Sequence, residues 1–233
     1  MTPSPHKFLE GLEAFLINAE KQIIFHGAGI PNLRTFRPAV NETFGRGLYL
    51  SSDRERAESY AVFRTGTKYG GECDPEDIPK GGFQATCYVF EATGHYLDLR
   101  TNEAMETLLP LWKTYLTENR EQILEDAQNN YLPANNDWKK LMASGFASEL
   151  SEVLTRQGKI NRYAFMEPQS YLNNVFSQFL ERAGYDGLIA IEGNEKDGKY
   201  ETKKGDSWVV FDSNKLVFVE EYECKKDTIT LSS

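Results

Sequence analysis

Phe44-Gly45-Arg46-Gly47-Leu48-Tyr49-Leu50-Ser51-Ser52 is the stretch of sequence that decides the fold. Two glycines flank Arg46, so the backbone can bend there or be approached closely, and the apolar residues that follow predict a strand over 44–52. Asp53 or Ser52 is suited to cap a helix behind it, which would place on one face Ala57, Tyr60 and Ala61. The sequence therefore predicts a strand–helix unit with one tyrosine on each element.

The two tyrosines of this unit, Tyr49 and Tyr60, can converge on one cleft. Such a pair suits a flat heteroaromatic ring, because aromatic pairs gain about 0.5–1.5 kcal/mol beyond the burial of their surface. In the alternative, both are core tyrosines whose hydroxyl groups are tethered by hydrogen bonds. The residues alone leave both interpretations open.

A second segment lies upstream, where Gln22-Ile23-Ile24-Phe25-His26 predicts a short buried strand that stops at Gly27-Ala28-Gly29. His26 can hydrogen-bond neighbouring backbone, or it can contact a ligand, for example a ribose hydroxyl. Gly27 would let a ligand amide approach the backbone closely. Neither glycine segment has the GxGxxG spacing of a dinucleotide fold, and the sequence has no GxxxxGK[ST] phosphate loop.

Outward from these segments the pattern is α+β. Residues 7–20 carry apolar side chains at helical spacing, which predicts an opening helix within 1–21. Strands are predicted at 85–91 and 95–99, and the chain from 101 to 183 has helical spacing. The tail returns to strands at 184–191, 207–211 and 216–219, so we expect one domain over 1–233 with a helical block between two groups of strands.

Composition favours a globular protein of the cytoplasm. The 233 residues carry a formal net charge of −9, which disfavours non-specific adhesion to phosphate backbones or anionic membranes. Three cysteines without a CxxC pair indicate reduced thiols and no zinc site. We expect no signal peptide, no membrane span and no metal.

The motifs together resemble the nicotinamide site of the diphtheria-toxin-like and poly(ADP-ribose) polymerase-like ADP-ribosyltransferases. The resemblance lies in Ile24–Gly27, in Phe44–Leu50 with Ala57 and Tyr60 behind it, in Tyr88–Leu99, and in the closing segments Gly184–Leu188 and Trp208–Asp212. It covers residues 22–99 and 184–220 and leaves the block 101–183 as an insertion. It implies a split antiparallel β-sheet core and NAD⁺ as co-substrate.

By this resemblance, five residues would form the NAD⁺ site. His26 would bond the adenosine-side ribose, Gly27 would hold the nicotinamide carboxamide, and Tyr49 with Tyr60 would sandwich the ring. Ser51 is predicted to line the same site. Ala57 stands where the polymerases have a serine that also grips the carboxamide.

The catalytic glutamate of the family is missing. Its position falls on Ser207, next to Asp206, so both are candidate catalytic residues with His26 and Tyr49. A carboxylate fixes the ribose 2′-hydroxyl and stabilises the positive charge that develops as the glycosidic bond breaks. Asp206 could supply it if a bulge at Gly205 turned its side chain. The alternatives are Glu201 or Glu195 on the preceding loop, or an enzyme without this carboxylate.

The resemblance implies transfer of one ADP-ribose to a macromolecular acceptor with release of nicotinamide. Protein, RNA and DNA acceptors all occur in the superfamily, which also implies a bacterial or phage toxin or defence effector with an antitoxin or inhibitor protein as partner. Two alternatives stay open: an NAD⁺ glycohydrolase, and an inactive protein that binds NAD⁺ or ADP-ribose. Nicotinamide release separates the enzymes from the binder.

Overall fold

The computed structural model has an α+β fold, as the sequence predicts. It describes residues 11–36, 44–66, 84–123, 167–193, 196–197 and 200–224. The strands are β1 (Leu16–Ala28), β2 (Leu48–Leu50), β3 (Thr86–Asp98), β4 (Gly187–Glu192), β5 (Lys196–Asp197), β6 (Tyr200–Glu201), β7 (Gly205–Val210) and β8 (Leu216–Glu223). The helices are α1 (Arg54–Gly66), α2 (Asn102–Glu118) and α3 (Glu167–Arg182), and short 3₁₀ turns cover Glu13–Phe15 and Ser213–Lys215.

The main sheet has six strands and is mixed. Its order is β1-β3-β4-β7-β2, with β8 on the free half of β3, and β5 with β6 forms a separate hairpin. The pairs are antiparallel except β3 with β4, which run parallel at Tyr96–Gly187, Leu97–Leu188 and Asp98–Ile189. The expectation of an antiparallel core is therefore corrected at this pair, where the insertion between β3 and β4 acts as a crossover connection.

The predicted opening helix is wrong where the structure describes it. Residues 16–20 belong to β1, which pairs with β3 from Leu16 opposite Leu97 to Ala28 opposite Thr86, with an irregularity between Ala19 and Gln22. Instead of a helix, the segment forms a short 3₁₀ turn, Glu13–Phe15. Leu12, directly before this turn, is completely buried. Long-range pairing with a 13-residue neighbour overrides local helix propensity here.

β3 is one strand where the sequence predicts two. Gly94 has a φ of +120°, which lets the strand bend without breaking its ladder. Asp186, from the turn before β4, packs against Gly94: its carboxylate accepts a hydrogen bond from the His95 amide at 2.9 Å and lies 3.1 Å from Lys215 Nζ. This contact fixes the start of β4 against β3.

The strands at the two ends of the sheet order, β1 and β2, meet at one point. Phe25 and Ser51 exchange both backbone hydrogen bonds at 2.8 Å, outside the regular ladders. Residues of these strands and of β3 and β7 form one apolar cluster, which includes Ile24, Leu50, Tyr88 and Trp208. The bridge brings the segment around His26 directly beside the segment around Tyr49.

Helices cover the outer faces of the sheet. α2 and α3 pack on β4 and β7 through a core with Trp112, Phe176 and Phe179 at its centre, and α1 packs on β1 and β3. The two ends of the predicted helical block are therefore helical, and its middle, 124–166, lies outside the described residues. No helix in the described part of the chain is long and apolar enough to span a membrane.

Candidate functional site

His26 and Tyr49, predicted to share a site, are joined by a hydrogen bond. His26 Nδ1 lies 2.8 Å from the Tyr49 carbonyl oxygen. A carbonyl only accepts, so Nδ1 carries the proton and Nε2 presents a lone pair. Burial lowers the pKa of His26, the Tyr49 carbonyl partly opposes this, and Arg64 lowers it further. The ring is therefore neutral at pH 7, and Nε2 can accept a hydrogen bond from a ligand hydroxyl.

The Tyr49 side chain has the tethered hydroxyl that the alternative interpretation describes. Its Oη accepts a hydrogen bond from the Phe44 amide at 2.9 Å and donates one to the Gly45 carbonyl at 3.0 Å. These bonds hold the glycine segment against β2 and fix the direction of the ring, which is half-buried against the helical core. The tether positions the ring.

Gly27 is required by the packing of α1. A Cβ atom at this position would lie 1.9 Å from the Ala57 carbonyl oxygen and 2.7 Å from the Ala61 nitrogen. No side chain larger than hydrogen fits without displacing the helix backbone. The same packing brings the first turns of α1, with Tyr60, to the end of β1 where His26 lies.

Arg56, which the sequence patterns did not indicate as a site residue, lies near both Tyr60 and Ser207. The Arg56 guanidinium carbon lies 5.7 Å from the centroid of the Tyr60 ring, and that of Arg64 lies 5.9 Å from it. Both distances are within the range of cation–π attraction. Arg56 itself is only 2% exposed, which is rare for an arginine and implies dedicated partners.

Those partners lie at the ends of β4 and β7. Arg56 Nη2 donates to Glu192 Oε2 at 2.9 Å and reaches Ser207 Oγ at 3.4 Å, while Nη1 reaches the backbone carbonyls of Gly193 and Lys203. Ser207 Oγ in turn donates to Glu192 Oε2. Ser207 therefore has a buried carboxylate as its immediate neighbour.

Asp206 and Ser51, both predicted site residues, contact each other. Ser51 Oγ donates to Asp206 Oδ1 at 2.6 Å, and Ser52 adds its amide at 3.2 Å and its hydroxyl. Trp208 Nε1 donates to Oδ2 at 3.1 Å. Burial by itself would raise the pKa of Asp206, but these hydrogen bonds outweigh it and hold the pKa below its ordinary value. Asp206 is an ionised carboxylate that ties the end of β2 to β7.

The bulge that would turn Asp206 towards the face of Ser207 is not present. β4 and β7 pair without a register shift from Gly187 opposite Val210 to Glu192 opposite Gly205. Among the other acids, Glu195 lies outside the described residues, and the Glu201 side chain is likewise not described. The contacts join His26 to the Tyr49 carbonyl, Tyr60 through Arg56 to Ser207, and Ser51 to Asp206. The His26 ring lies beside Phe36 and Tyr88, in the apolar cluster that includes Trp208.

Sequence reasoning missed Arg56 and Glu192. Glu192 is the last residue of β4 and ends its apolar run. Its contact with Ser207 spans 15 positions, and that of Arg56 with Ser207 spans 151. A charged residue that closes an apolar strand is the one signal that could have raised Glu192 as a candidate. In the described part of the chain, no cluster of three or more His, Cys, Asp or Glu could hold a metal ion.

Comparisons with known proteins give one match. No family model and no curated protein matches the chain. Among solved structures, the M. tuberculosis MbcT–MbcA toxin–antitoxin complex matches with a TM-score of 0.44 and 9% sequence identity, over 93% of this chain and 91% of that chain.

Proposed function

We propose that this protein is an NAD⁺-dependent mono-ADP-ribosyltransferase. In the reaction, the bond between ribose C1′ and the nicotinamide nitrogen breaks, and its electron pair stays on nicotinamide. A bond then forms between C1′ and a nucleophile of a macromolecular acceptor, which gives up its proton. No metal or redox cofactor is needed for this balance.

The observation that carries the proposal is the hydrogen bond between His26 Nδ1 and the Tyr49 carbonyl, 2.8 Å long. It joins the two motifs on which the family resemblance mainly depends, and it leaves the neutral Nε2 as an acceptor for a ribose hydroxyl. Gly27 and α1, with Tyr60, adjoin this pair. The surroundings fit a ligand that combines ribose hydroxyls with a flat ring.

Each predicted residue has a role in the proposal. His26 binds a ribose hydroxyl through Nε2, Gly27 offers its backbone to the carboxamide, and Tyr49 and Tyr60 flank the nicotinamide ring. Ser207 contacts the ribose at the position of the family glutamate. Ser51 and Asp206 stay predicted site residues, and their mutual hydrogen bond supports a role in shaping the β2 end of the site.

The test uses purified protein and NAD⁺ labelled separately in nicotinamide and in adenylate. We expect release of nicotinamide and transfer of adenylate label to a component of a cell lysate. Tyr49→Ala should slow nicotinamide release up to about tenfold, because loss of an aromatic partner costs up to about 1.5 kcal/mol. Tyr115→Ala is the matched control, since Tyr115 is also half-buried against the same helical core.

The products separate the alternatives. Label that is sensitive to protease or to nuclease identifies a protein or a nucleic-acid acceptor, whereas free ADP-ribose as sole product identifies an NAD⁺ glycohydrolase. Binding of NAD⁺ without nicotinamide release identifies an inactive binder. Neither binding nor release, or equal loss of release in the two tyrosine variants, would contradict the proposed site. The roles of toxin or defence effector and the antitoxin partner rest on family resemblance alone.

A further inference from the structure

The carboxylate nearest to Ser207 belongs to the neighbouring strand. Glu192 Oε2 accepts hydrogen bonds from Ser207 Oγ and from Arg56 Nη2, the latter at 2.9 Å. The side chains of Arg56 and Glu192 are 3% and 9% exposed. A buried pair of this kind carries a large desolvation cost.

Strand register explains why the two side chains meet. Ala190 lies opposite Ser207, and Glu192 lies opposite Gly205. Glu192 and Ser207 are therefore diagonal neighbours on one face of the sheet, a separation that long side chains bridge. Gly205 leaves room beside them, and a Cβ atom there would lie 3.0 Å from Arg56 Cδ.

This face of the sheet is also the face of Tyr49. Tyr49 lies opposite Val209 on β7, and Ser207 is two residues further along the same strand. Side chains two residues apart on a strand point to the same face, while Asp206 and Trp208 point to the opposite face. Both oxygens of Asp206 are already occupied by Ser51, Ser52 and Trp208.

We propose that Glu192, acting through the Ser207 hydroxyl, supplies the negative charge that the family glutamate would provide; this inference rests on the proposed function. Ser207 Oγ accepts the hydrogen bond of the ribose 2′-hydroxyl and donates its own hydrogen to Glu192. No proton needs to be transferred completely while the C1′–N bond breaks. The charge of Glu192 stabilises the positive charge that develops on the ribose. Glu192 is thus a positioning residue behind Ser207, and Arg56 holds it in place.

The first test removes the charge of Glu192 and keeps its shape. Glu192→Gln should lower kcat for nicotinamide release by about 100-fold, as expected for loss of a group that stabilises transition-state charge, and change KM for NAD⁺ much less. Glu58→Gln is the matched control, because Glu58 also accepts from one arginine and one hydroxyl, Arg54 Nε at 2.8 Å and Tyr222 Oη at 2.9 Å. It should keep the wild-type kcat.

The second test moves the carboxylate from β4 to β7. The double variant Glu192→Gln with Ser207→Glu places a glutamate at the family position and keeps one negative charge beside Arg56. It should recover about tenfold or more of the kcat lost in Glu192→Gln, since 1.4 kcal/mol of restored stabilisation gives that factor. If Glu192→Gln does not fold, the double variant decides alone: activity supports the proposal, and a folded, inactive double variant overturns it.

Other results overturn the inference while leaving the proposed function intact. These are wild-type kcat in folded Glu192→Gln, a rise in its KM with unchanged kcat, or loss of activity in Asp206→Asn together with full activity in Glu192→Gln. Failure of the proposed function looks different, because the wild-type protein would then release no nicotinamide at all. NAD⁺ binding measured by calorimetry on each variant separates lost rate from lost affinity.

Discussion

The two faces of β7 hold their carboxylates in opposite ways. On one face, Asp206 accepts hydrogen bonds from two serines and an indole, and no cation contacts it in the described part of the chain. On the other face, Glu192 shares one oxygen between a buried arginine and the Ser207 hydroxyl. The first arrangement uses both oxygens to join strands, while the second places a buried ion pair beside Ser207. Asp206 precedes Ser207 in the sequence, but Glu192 is the acid whose carboxylate contacts Ser207 in the structure.

The largest expected effect comes from removing the cation of the Glu192 face. Arg56→Met leaves Glu192 buried without its ion pair, which should lower the free energy of unfolding by about 4 kcal/mol. Urea unfolding at pH 7 measures it. Arg54→Met is the control: Arg54 is 61% exposed in its pair with Glu58 and should cost less than about 1 kcal/mol. Equal losses of unfolding free energy in the two variants would contradict a larger contribution of the buried pair.

On the face of β7 that carries Asp206, a substitution should also lower the free energy of unfolding, but by less than Arg56→Met. Asp206→Asn replaces an acceptor of four hydrogen bonds with a group that donates at one end, which should cost about 2–3 kcal/mol. Asp212→Asn serves as control, because Asp212 caps the 3₁₀ turn through the Asn214 amide at 2.9 Å and asparagine caps equally well. A loss below about 0.5 kcal/mol at Asp206 would show that its hydrogen bonds do not hold β2 to β7.

The stabilisation that ionised Asp206 provides should be lost at low pH. The folded pKa lies below the ordinary value of 3.8, so the stabilisation is complete above the unfolded pKa and is lost as pH falls through the folded pKa. The difference in unfolding free energy between wild type and Asp206→Asn should stay constant from about pH 7 to pH 5 and shrink below about pH 4. A difference that persists unchanged at about pH 2 contradicts an ionised Asp206.

The smallest expected effect concerns His26. Burial lowers its folded pKa below 6.5, so in the window just below 6.5 the unfolded state binds a proton that the native state does not. Stability should therefore rise with pH through this window in wild type. His26→Asn, whose amide can still donate to the Tyr49 carbonyl, should lose that rise. Thermal unfolding at a series of pH values measures it, and an unchanged pH dependence would contradict a neutral His26.

Sequence patterns predicted the structure correctly where residues within a segment determine its conformation. The α+β class, the strand–helix unit of β2 and α1, and the strands at the end of the chain are confirmed. Asp53 is the residue that caps α1, through the Glu55 amide at 2.9 Å and the Arg56 amide at 3.3 Å. Turn glycines, caps and apolar alternation act over a few residues, so they can be recognised without knowing the fold.

Patterns failed where a distant partner decides the outcome. Residues 16–20 have apolar spacing that suits a helix, but β3 offers them a ladder from Leu16 to Ala28. The parallel pairing of β3 with β4 depends on a crossover whose middle lies outside the described residues. Conformational preferences of a few tenths of a kcal/mol per residue yield to such tertiary pairing.

The sequence by itself determined the residue types of the candidate site: a histidine and a glycine at the end of one strand, a tyrosine on the next and another on the helix behind it. Only the tertiary structure decided which face each side chain occupies and which carboxylate stands beside Ser207. The physical reason is the two-residue period of a strand: a bulge of one residue would have exchanged the faces of Asp206 and Ser207. The continuous register of β4 and β7 excludes that exchange and brings Glu192, not Asp206, beside Ser207.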